Sequence, residues 1–207
     1  MTAPSPRLVL ATHNRHKLAE LRAILGPAIP GLDLDCVVGA PDLGADEPVE
    51  DGLTFDANAL IKARALAAAT GLPTVADDSG LAVDVLGGAP GIFSARWCGH
   101  HGDDAANLDL LLGQLADIAE PHRGARFVCA AALVTPGGLE VVETGALEGT
   151  LTTAPRGAGG FGYDPVLVPL GDTRTCAELS PAEKNAISHR GQAFRALVPA
   201  IARALAP

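Results

Sequence analysis

The sequence predicts an α/β fold on a mixed sheet. Two observations carry this. Short apolar runs alternate with segments of helical periodicity, as βα units require, and a hairpin signal interrupts that alternation, which a purely parallel sheet does not use. Arg7 to Ala11 (RLVLA) reads as a short buried strand, followed by Leu18, Leu21, Ile24 and Leu25 at helical spacing, with Gly26-Pro27 expected to end the helix. Leu32 to Val38 reads as a second strand, and the acidic, Pro- and Gly-containing Ala40 to Gly52 as loop. A long helix is expected from Thr54, an N-cap residue, to Gly71, a good C-terminal cap.

Pro73 to Ala76 is the next strand, expected to exit at Asp77-Asp78-Ser79-Gly80, with Leu81 to Leu86 extended and Gly87 to Gly91 a turn-rich loop. Ala105 to Ala119 is amphipathic and helical. Arg126 to Thr135 and Leu139 to Leu147 flank Pro136-Gly137-Gly138 as a hairpin. Thr150 to Gly162 reads as loop or strand end, and Pro165 to Val168 as a short strand. Ser180-Pro181-Ala182-Glu183 has Ser at the N-cap, Pro at the first helical position and Glu three residues on, a capping box; helix then continues, with a break near Ser188, towards Ala206. The chain has no internal repeat or long linker.

At 207 residues and 48% hydrophobic, the chain is long and apolar enough to bury a core. A net charge of −9 argues against non-specific nucleic-acid binding, which needs a basic footprint, but leaves room for a small anionic ligand. Cys36, Cys98, Cys129 and Cys176 form no CxxC pair, so neither a zinc ribbon nor a redox motif is offered. Met1 to Arg7 lacks the apolar core of a signal peptide, and no apolar run approaches the ~20 residues of a membrane span, so a cytoplasmic protein is expected.

Five segments carry chemistry. Thr12-His13-Asn14-Arg15-His16-Lys17 puts cations at a helix start, where the dipole favours acids; an anion such as phosphate would explain them, and a solvated basic turn is the alternative. No Walker A pattern is present. Asp77-Asp78 lies where open α/β sheets bind ligands, and because successive strand side chains diverge, one acid can serve as base or metal ligand while the other braces the loop. An Asx-turn over Ser79-Gly80 reads equally well. Glu50, with Asn58 and Lys62 on one face of the long helix, completes a set suited to Mg²⁺, which takes one or two carboxylates plus phosphates and water; Asp46, Glu47 and Asp51 compete with Glu50. Phe161-Gly162-Tyr163-Asp164 offers rings for base stacking in a chain with 3% aromatics. Gly157 to Gly162 fits GxGxxG, but a strand-like YDPVLV follows where a dinucleotide site needs a helix. Lys184 and Ser188-His189-Arg190 make a second donor-rich helix start.

Together the segments LATHNRHKLAEL, GLTFDANALIKARA, ADDSGLAVDVLGGAPGIFSARW, GGFGYDPV and AELSPAEKNAISHRGQA closely resemble the inosine/xanthosine triphosphate pyrophosphatase family, in family order and over nearly the whole chain. The resemblance implies one domain over residues 1–207, an elongated mixed sheet with flanking helices, two lobes around a central cleft, and a homodimer. It implies Mg²⁺-dependent hydrolysis of ITP, dITP and XTP between the α- and β-phosphates. Carried over by position, Thr12, His13, Asn14, Arg15, His16 and Lys17 resemble the triphosphate loop. Asp78 resembles the catalytic base and a metal ligand, with Glu50 the second acid. Ser79 resembles a substrate contact, and Phe161, Gly162, Tyr163, Asp164, Lys184, His189 and Arg190 the base-recognition set. His13 and His16 stand where the family often has Gly, which would cost something if either backbone took positive φ.

In the mechanism this implies, Asp78 activates a water, Lys17 and Lys62 neutralise the departing pyrophosphate, and donors from His189 and Arg190 read the purine 6-oxo group. Two rivals are a modified-pyrimidine triphosphatase of related fold, opposed by FGYD with SHR, and a non-catalytic nucleotide sensor, opposed by the intact acid pair.

Overall fold

A computed structural model describes residues 5–46 and 48–206; within that span the side chain of His16 is outside the described set. The sheet has six strands in the order β2-β1-β3-β4-β5-β6. These are β1 (Leu8–Leu10), β2 (Val37–Gly39), β3 (Thr74–Val83), β4 (Gly124–Val134), β5 (Glu140–Leu151) and β6 (Leu167–Pro169). β1 pairs parallel with β2 (Leu8 opposite Val37) and with β3 (Val9 opposite Thr74), while β5 pairs antiparallel with β6 (Leu151 opposite Leu167). The helices are α1 (Arg15–Ala28), α2 (Phe55–Thr70), α3 (Asp104–Gln114), α4 (Pro181–Ile187) and α5 (His189–Ala204). The α/β class and mixed sheet are as the sequence predicts. Among the described residues no helix is long and apolar enough to cross a membrane.

Two compact units emerge from the chain's contacts. The first takes the described residues to Asp78, Cys129–Gly145, and Arg190 onward. Strand alternation divides its core. Leu8 and Leu10 of β1 with Cys129, Ala131 and Leu133 of β4 meet Leu21 and Leu25 of α1 and Phe194, Leu197 and Ile201 of α5. Val9, Ala76, Ala130, Ala132 and Val134 point the other way, onto Ala59, Ala63, Leu66 and Ala67 of α2. The small residues on that face of α2 let the helix lie close to the sheet.

The second unit takes Ser79–Val128 and Ala146–His189. Its core gathers Leu81, Val83, Phe127, Leu147, Leu151, Tyr163, Val166 and Leu167 around Leu108, Leu111 and Leu115 of α3. Arg123, 1% exposed, braces this unit through main-chain carbonyls: Nη1 donates to Leu115 O (2.7 Å) and Ile118 O (3.3 Å), Nε to Leu151 O (3.0 Å) and Nη2 to Thr152 O (2.9 Å).

The expected caps are present. Thr54 Oγ1 accepts from Ala57 N, Gly71 closes α2 at φ 67°, and Ser180 with Glu183 forms the capping box of α4. Several boundaries differ from the sequence reading. α1 passes Gly26-Pro27 and ends at Ala28, because a proline in the last turn forfeits only one intrahelical bond. Leu34–Cys36 is a 3-10 turn capped by Asp33, so β2 starts only at Val37. α3 starts at Asp104, with Asp103 Oδ1 accepting from Ala106 N, and ends at Gln114 rather than Ala119. β3 does not exit at Asp77 but runs ten residues through Asp77-Asp78-Ser79-Gly80 to Val83.

Candidate active site

In the first unit β1 hands the chain to α1 through the predicted phosphate loop. Thr12 Oγ1 accepts from Asn14 N (3.1 Å), and Asn14 Oδ1 accepts from Lys17 N (3.4 Å), so Asn14 caps the helix that Arg15 begins. His13, Asn14 and Arg15 are exposed, whereas Thr12 is buried. Among the described residues no non-glycine has positive φ, so the loop at His13 needs no left-handed backbone, and His16 sits within α1.

Lys17 reaches inward. Its Nζ donates to Asp77 Oδ1 (3.0 Å) and Oδ2 (2.8 Å), and Arg190 Nε donates to the same Oδ2 (3.0 Å). Arg190 Nη1 also lies 3.8 Å from Glu20. Asp77 is 2% exposed; burial disfavours its charge, yet the Lys17 and Arg190 cations outweigh burial and hold its carboxyl well below the usual range.

Asp78 points the opposite way, as strand alternation requires. Its Oδ2 accepts from Asn58 Nδ2 (3.0 Å), and its Oδ1 lies 3.8 Å from Lys62 Nζ, which also sits 3.1 Å from Glu50 Oε1. Burial raises the Asp78 carboxyl above its ordinary value; Lys62 and Asn58 oppose that rise, and Glu50 and Asp77 add to it. Of the acids in the 46–51 loop, Glu50 is the one seen paired with Lys62; Asp46 and Asp51 are exposed, and Glu47 lies outside the described residues. Among the described residues no three or more His, Cys, Asp or Glu form a metal-holding group. Glu50 and Asp78, each beside Lys62, offer carboxylate oxygens, the donor type that a hard cation such as Mg²⁺ takes alongside phosphate and water.

In the second unit three glycines at positive φ, Gly157, Gly160 and Gly162, shape the FGYD loop. A Cβ on Gly160 would lie 2.0 Å from Asp164 Oδ2. That carboxylate, 3% exposed, accepts from Phe161 N (2.8 Å) and pairs with Lys184. The Lys184 ammonium stands 5.1 Å from the centre of the Phe161 ring, itself 59% exposed. Tyr163 is buried instead and donates from Oη to Ser94 O (2.9 Å), so it is core rather than an open stacking face. Gly162 N donates to Asp104 Oδ2 (2.9 Å). His189 stacks on Phe127, centroids 5.1 Å apart, and Ser79 is half-buried in β3.

Within the first unit, then, Thr12, Asn14, Lys17 and Arg190 are linked to Asp77, while Glu50, Asn58 and Lys62 are linked to Asp78, the two adjacent acids of β3 heading separate groups. Within the second, Phe161, Gly162, Asp164 and Lys184 form one group, while Tyr163 and His189 pack inward. Asp104 and Ser94 were not singled out by sequence, since their partners lie 58 and 69 residues away and no local pattern links them. Asp77's partners were equally remote, although its alternation with Asp78 was readable.

The model of the Ham1 family matches residues 8–200. A dITP/XTP pyrophosphatase of Streptomyces coelicolor is 66% identical over 195 residues, 94% of this chain and 96% of the relative. Among solved structures, the nucleoside-triphosphatase or dITP/XTP pyrophosphatase of Mycobacterium abscessus is 53% identical with a TM-score of 0.78, covering 93% of this chain and 99% of that one. A HAM1 protein of Coxiella burnetii is 39% identical with a TM-score of 0.86, covering 96% and 99%.

Proposed function

The chain belongs to the Ham1 family, and from that premise we propose that it hydrolyses non-standard purine nucleoside triphosphates (dITP, ITP and XTP) to the monophosphate and pyrophosphate. The observation that carries this reading is the pair of adjacent acids on β3 with divided duties: Asp77 is neutralised by Lys17 and Arg190, while Asp78 stays partly exposed beside Glu50 and Lys62.

Asp78 is the general base. Burial makes its carboxylate more basic than an ordinary aspartate, which favours accepting a proton from water. Asn58 fixes one of its oxygens, leaving Oδ1 towards Lys62. Lys17 and Lys62 offset the charge that develops on the leaving pyrophosphate. Thr12 to Lys17 and the start of α1 supply donors to phosphate oxygens, His16 entering on the family resemblance. Glu50 and Asp78 would hold Mg²⁺, which when bound would neutralise phosphate charge. Phe161 offers its exposed face to the purine, and Lys184 beside it supplies a donor to the 6-oxo group, with Asp164 holding that ammonium in place. Ser79, His189 and Arg190 join the substrate contacts on the resemblance; Arg190, like Lys184, is held by a buried carboxylate, that of Asp77. A homodimer working in the cytoplasm belongs to the same reading, and sedimentation and cell fractionation measure those two points.

The test is a panel of dITP, ITP, XTP, GTP, ATP and dUTP with Mg²⁺, products resolved by ³¹P NMR. Pyrophosphate and monophosphate from the 6-oxo non-standard purines, with kcat/KM for ATP at least tenfold lower, is the expected result. Stepwise release of orthophosphate, or equal turnover of ATP, refutes it.

A further inference from the structure

Asn58 lies one turn before Lys62 on α2 and is 1% exposed. Its carboxamide serves two segments far apart in the chain. Nδ2 donates to Asp78 Oδ2 at 3.0 Å, and Oδ1 accepts from Gly52 N at 2.8 Å. A carboxylate oxygen accepts and a backbone N–H donates, so one orientation of the amide satisfies both partners and the flipped one satisfies neither. Gly52 follows Glu50 by two residues, and its approach is close. A Cβ there would stand 2.6 Å from Asn58 Oδ1, 2.8 Å from Ala57 Cβ and 3.0 Å from Asn58 N. The Glu50 loop therefore sits down on the first turn of α2, against the same side chain that holds Asp78.

We infer that Asn58 is a positioning residue for the hydrolysis: one carboxamide sets Glu50 and Asp78 relative to each other. This rests on the reaction and acid roles proposed above. Lys62 also approaches both acids, at 3.1 and 3.8 Å, but in a different manner. An ammonium on a four-carbon stem supplies charge with little direction, whereas the planar amide of a short, buried side chain fixes an angle at each partner. Aspartate at position 58 would keep an acceptor for Gly52 N and turn a lone pair towards Asp78. Alanine would release both partners.

The experiment compares Asn58→Ala, Asn58→Asp and Gly52→Ala with wild type and Asp78→Asn. It measures melting temperature, kcat and KM for dITP, and calorimetric binding of Mn²⁺ without nucleotide. With both acids loosened, Asn58→Ala is expected to lose about ten- to a hundredfold in kcat, the scale of one hydrogen bond to a charged group. KM should change less than about threefold and Mn²⁺ should bind more weakly, because the phosphate-loop and base contacts are untouched. Asn58→Asp should fall at least as far in kcat, and Gly52→Ala should follow Asn58→Ala although Asn58 itself is intact. A purely structural role would lower melting temperature and active fraction while leaving kcat per folded site and Mn²⁺ binding unchanged, and that result overturns the inference. So does a folded Asn58→Ala with kcat within threefold of wild type while Asp78→Asn is inactive, which leaves the reaction assignment standing. Normal turnover by Asp78→Asn overturns both. If Asn58→Ala does not fold, Gly52→Ala decides by the same criteria.

Discussion

Replacing Asp77 by asparagine keeps the shape of the side chain and removes its charge. The structure fixes what is lost: three charge-assisted contacts at 2.8 to 3.0 Å, two from Lys17 and one from Arg190. An asparagine offers one acceptor oxygen and turns an NH₂ towards one of the cations. Lys17 is 21% exposed along its side chain and can swing towards water, so its share of the penalty is small. Arg190 is 10% exposed by the same measure and keeps Glu20 at 3.8 Å. Removing one partner of a buried ion pair costs about 3–5 kcal/mol, and with Lys17 relieved the lower end applies, about 3 kcal/mol. For a chain of this size each kcal/mol moves the melting temperature by about 2–4 °C, so a drop of about 6–12 °C is expected at pH 7. The pH dependence has a definite sign. The native pKa of Asp77 is depressed, so its stabilisation is complete above the unfolded-state value of about 4 and is lost as pH falls towards the lower native value. The gap between wild type and Asp77→Asn should therefore be full at pH 7 and shrink below about pH 4. Thermal melts followed by circular dichroism between pH 3 and 8 measure it. A gap under 1 °C at pH 7, or one that widens in acid, refutes the reasoning.

Asp78→Asn should leave the fold intact and cost ~10²–10⁴ in kcat, the usual worth of a general base; near-normal turnover by folded protein sinks the assignment. Lys17→Ala should weaken binding of a triphosphate more than of its monophosphate, and calorimetry giving equal losses would place the ammonium away from the distal phosphates. Gly160→Ala puts a methyl on the Asp164 carboxylate at a φ of 72°, so Lys184 and Phe161 should both lose their setting. The expected outcome is at least a tenfold loss of kcat/KM for ITP with a smaller loss for ATP, and equal losses across a purine panel would show that this loop does not read the base.

The fold was legible where local rules decide it. Thr54 and Gly71 bound α2, Ser180 and Glu183 open α4, and Pro136-Gly137-Gly138 turns the hairpin, because caps and turns are satisfied within a few residues. The reading of β3 failed for a tertiary reason. Asp-Asp-Ser-Gly looks like a turn in isolation, but Asp77 is balanced by Lys17 and Arg190, sixty and more residues away, and Gly80 lets the strand pass against Ser94 and Gly91, so the chain stays extended. For the site, the cationic loop and the paired acids were visible because cations at a helix start violate a local preference. Asp104 and Ser94 violate none; they are ordinary polar residues that meet distant groups, Asp104 the Gly162 N–H and the Ser94 carbonyl the Tyr163 hydroxyl.

Among the described residues, Arg123 hydrogen-bonds to main chain only. Its four hydrogen bonds end on carbonyl oxygens of Leu115, Ile118, Leu151 and Thr152, and a carbonyl is the same whatever side chain its residue bears. Tolerance to change should therefore be lopsided around it. Those four positions are free to drift as far as their own packing allows, with no compensating change owed to the arginine. The arginine has no such freedom, since lysine cannot span four divergent acceptors with a single terminal nitrogen. A feature that reads backbone rather than sequence decouples the history of a residue from that of its neighbours, leaving a fixed point that pairwise covariation would not reveal.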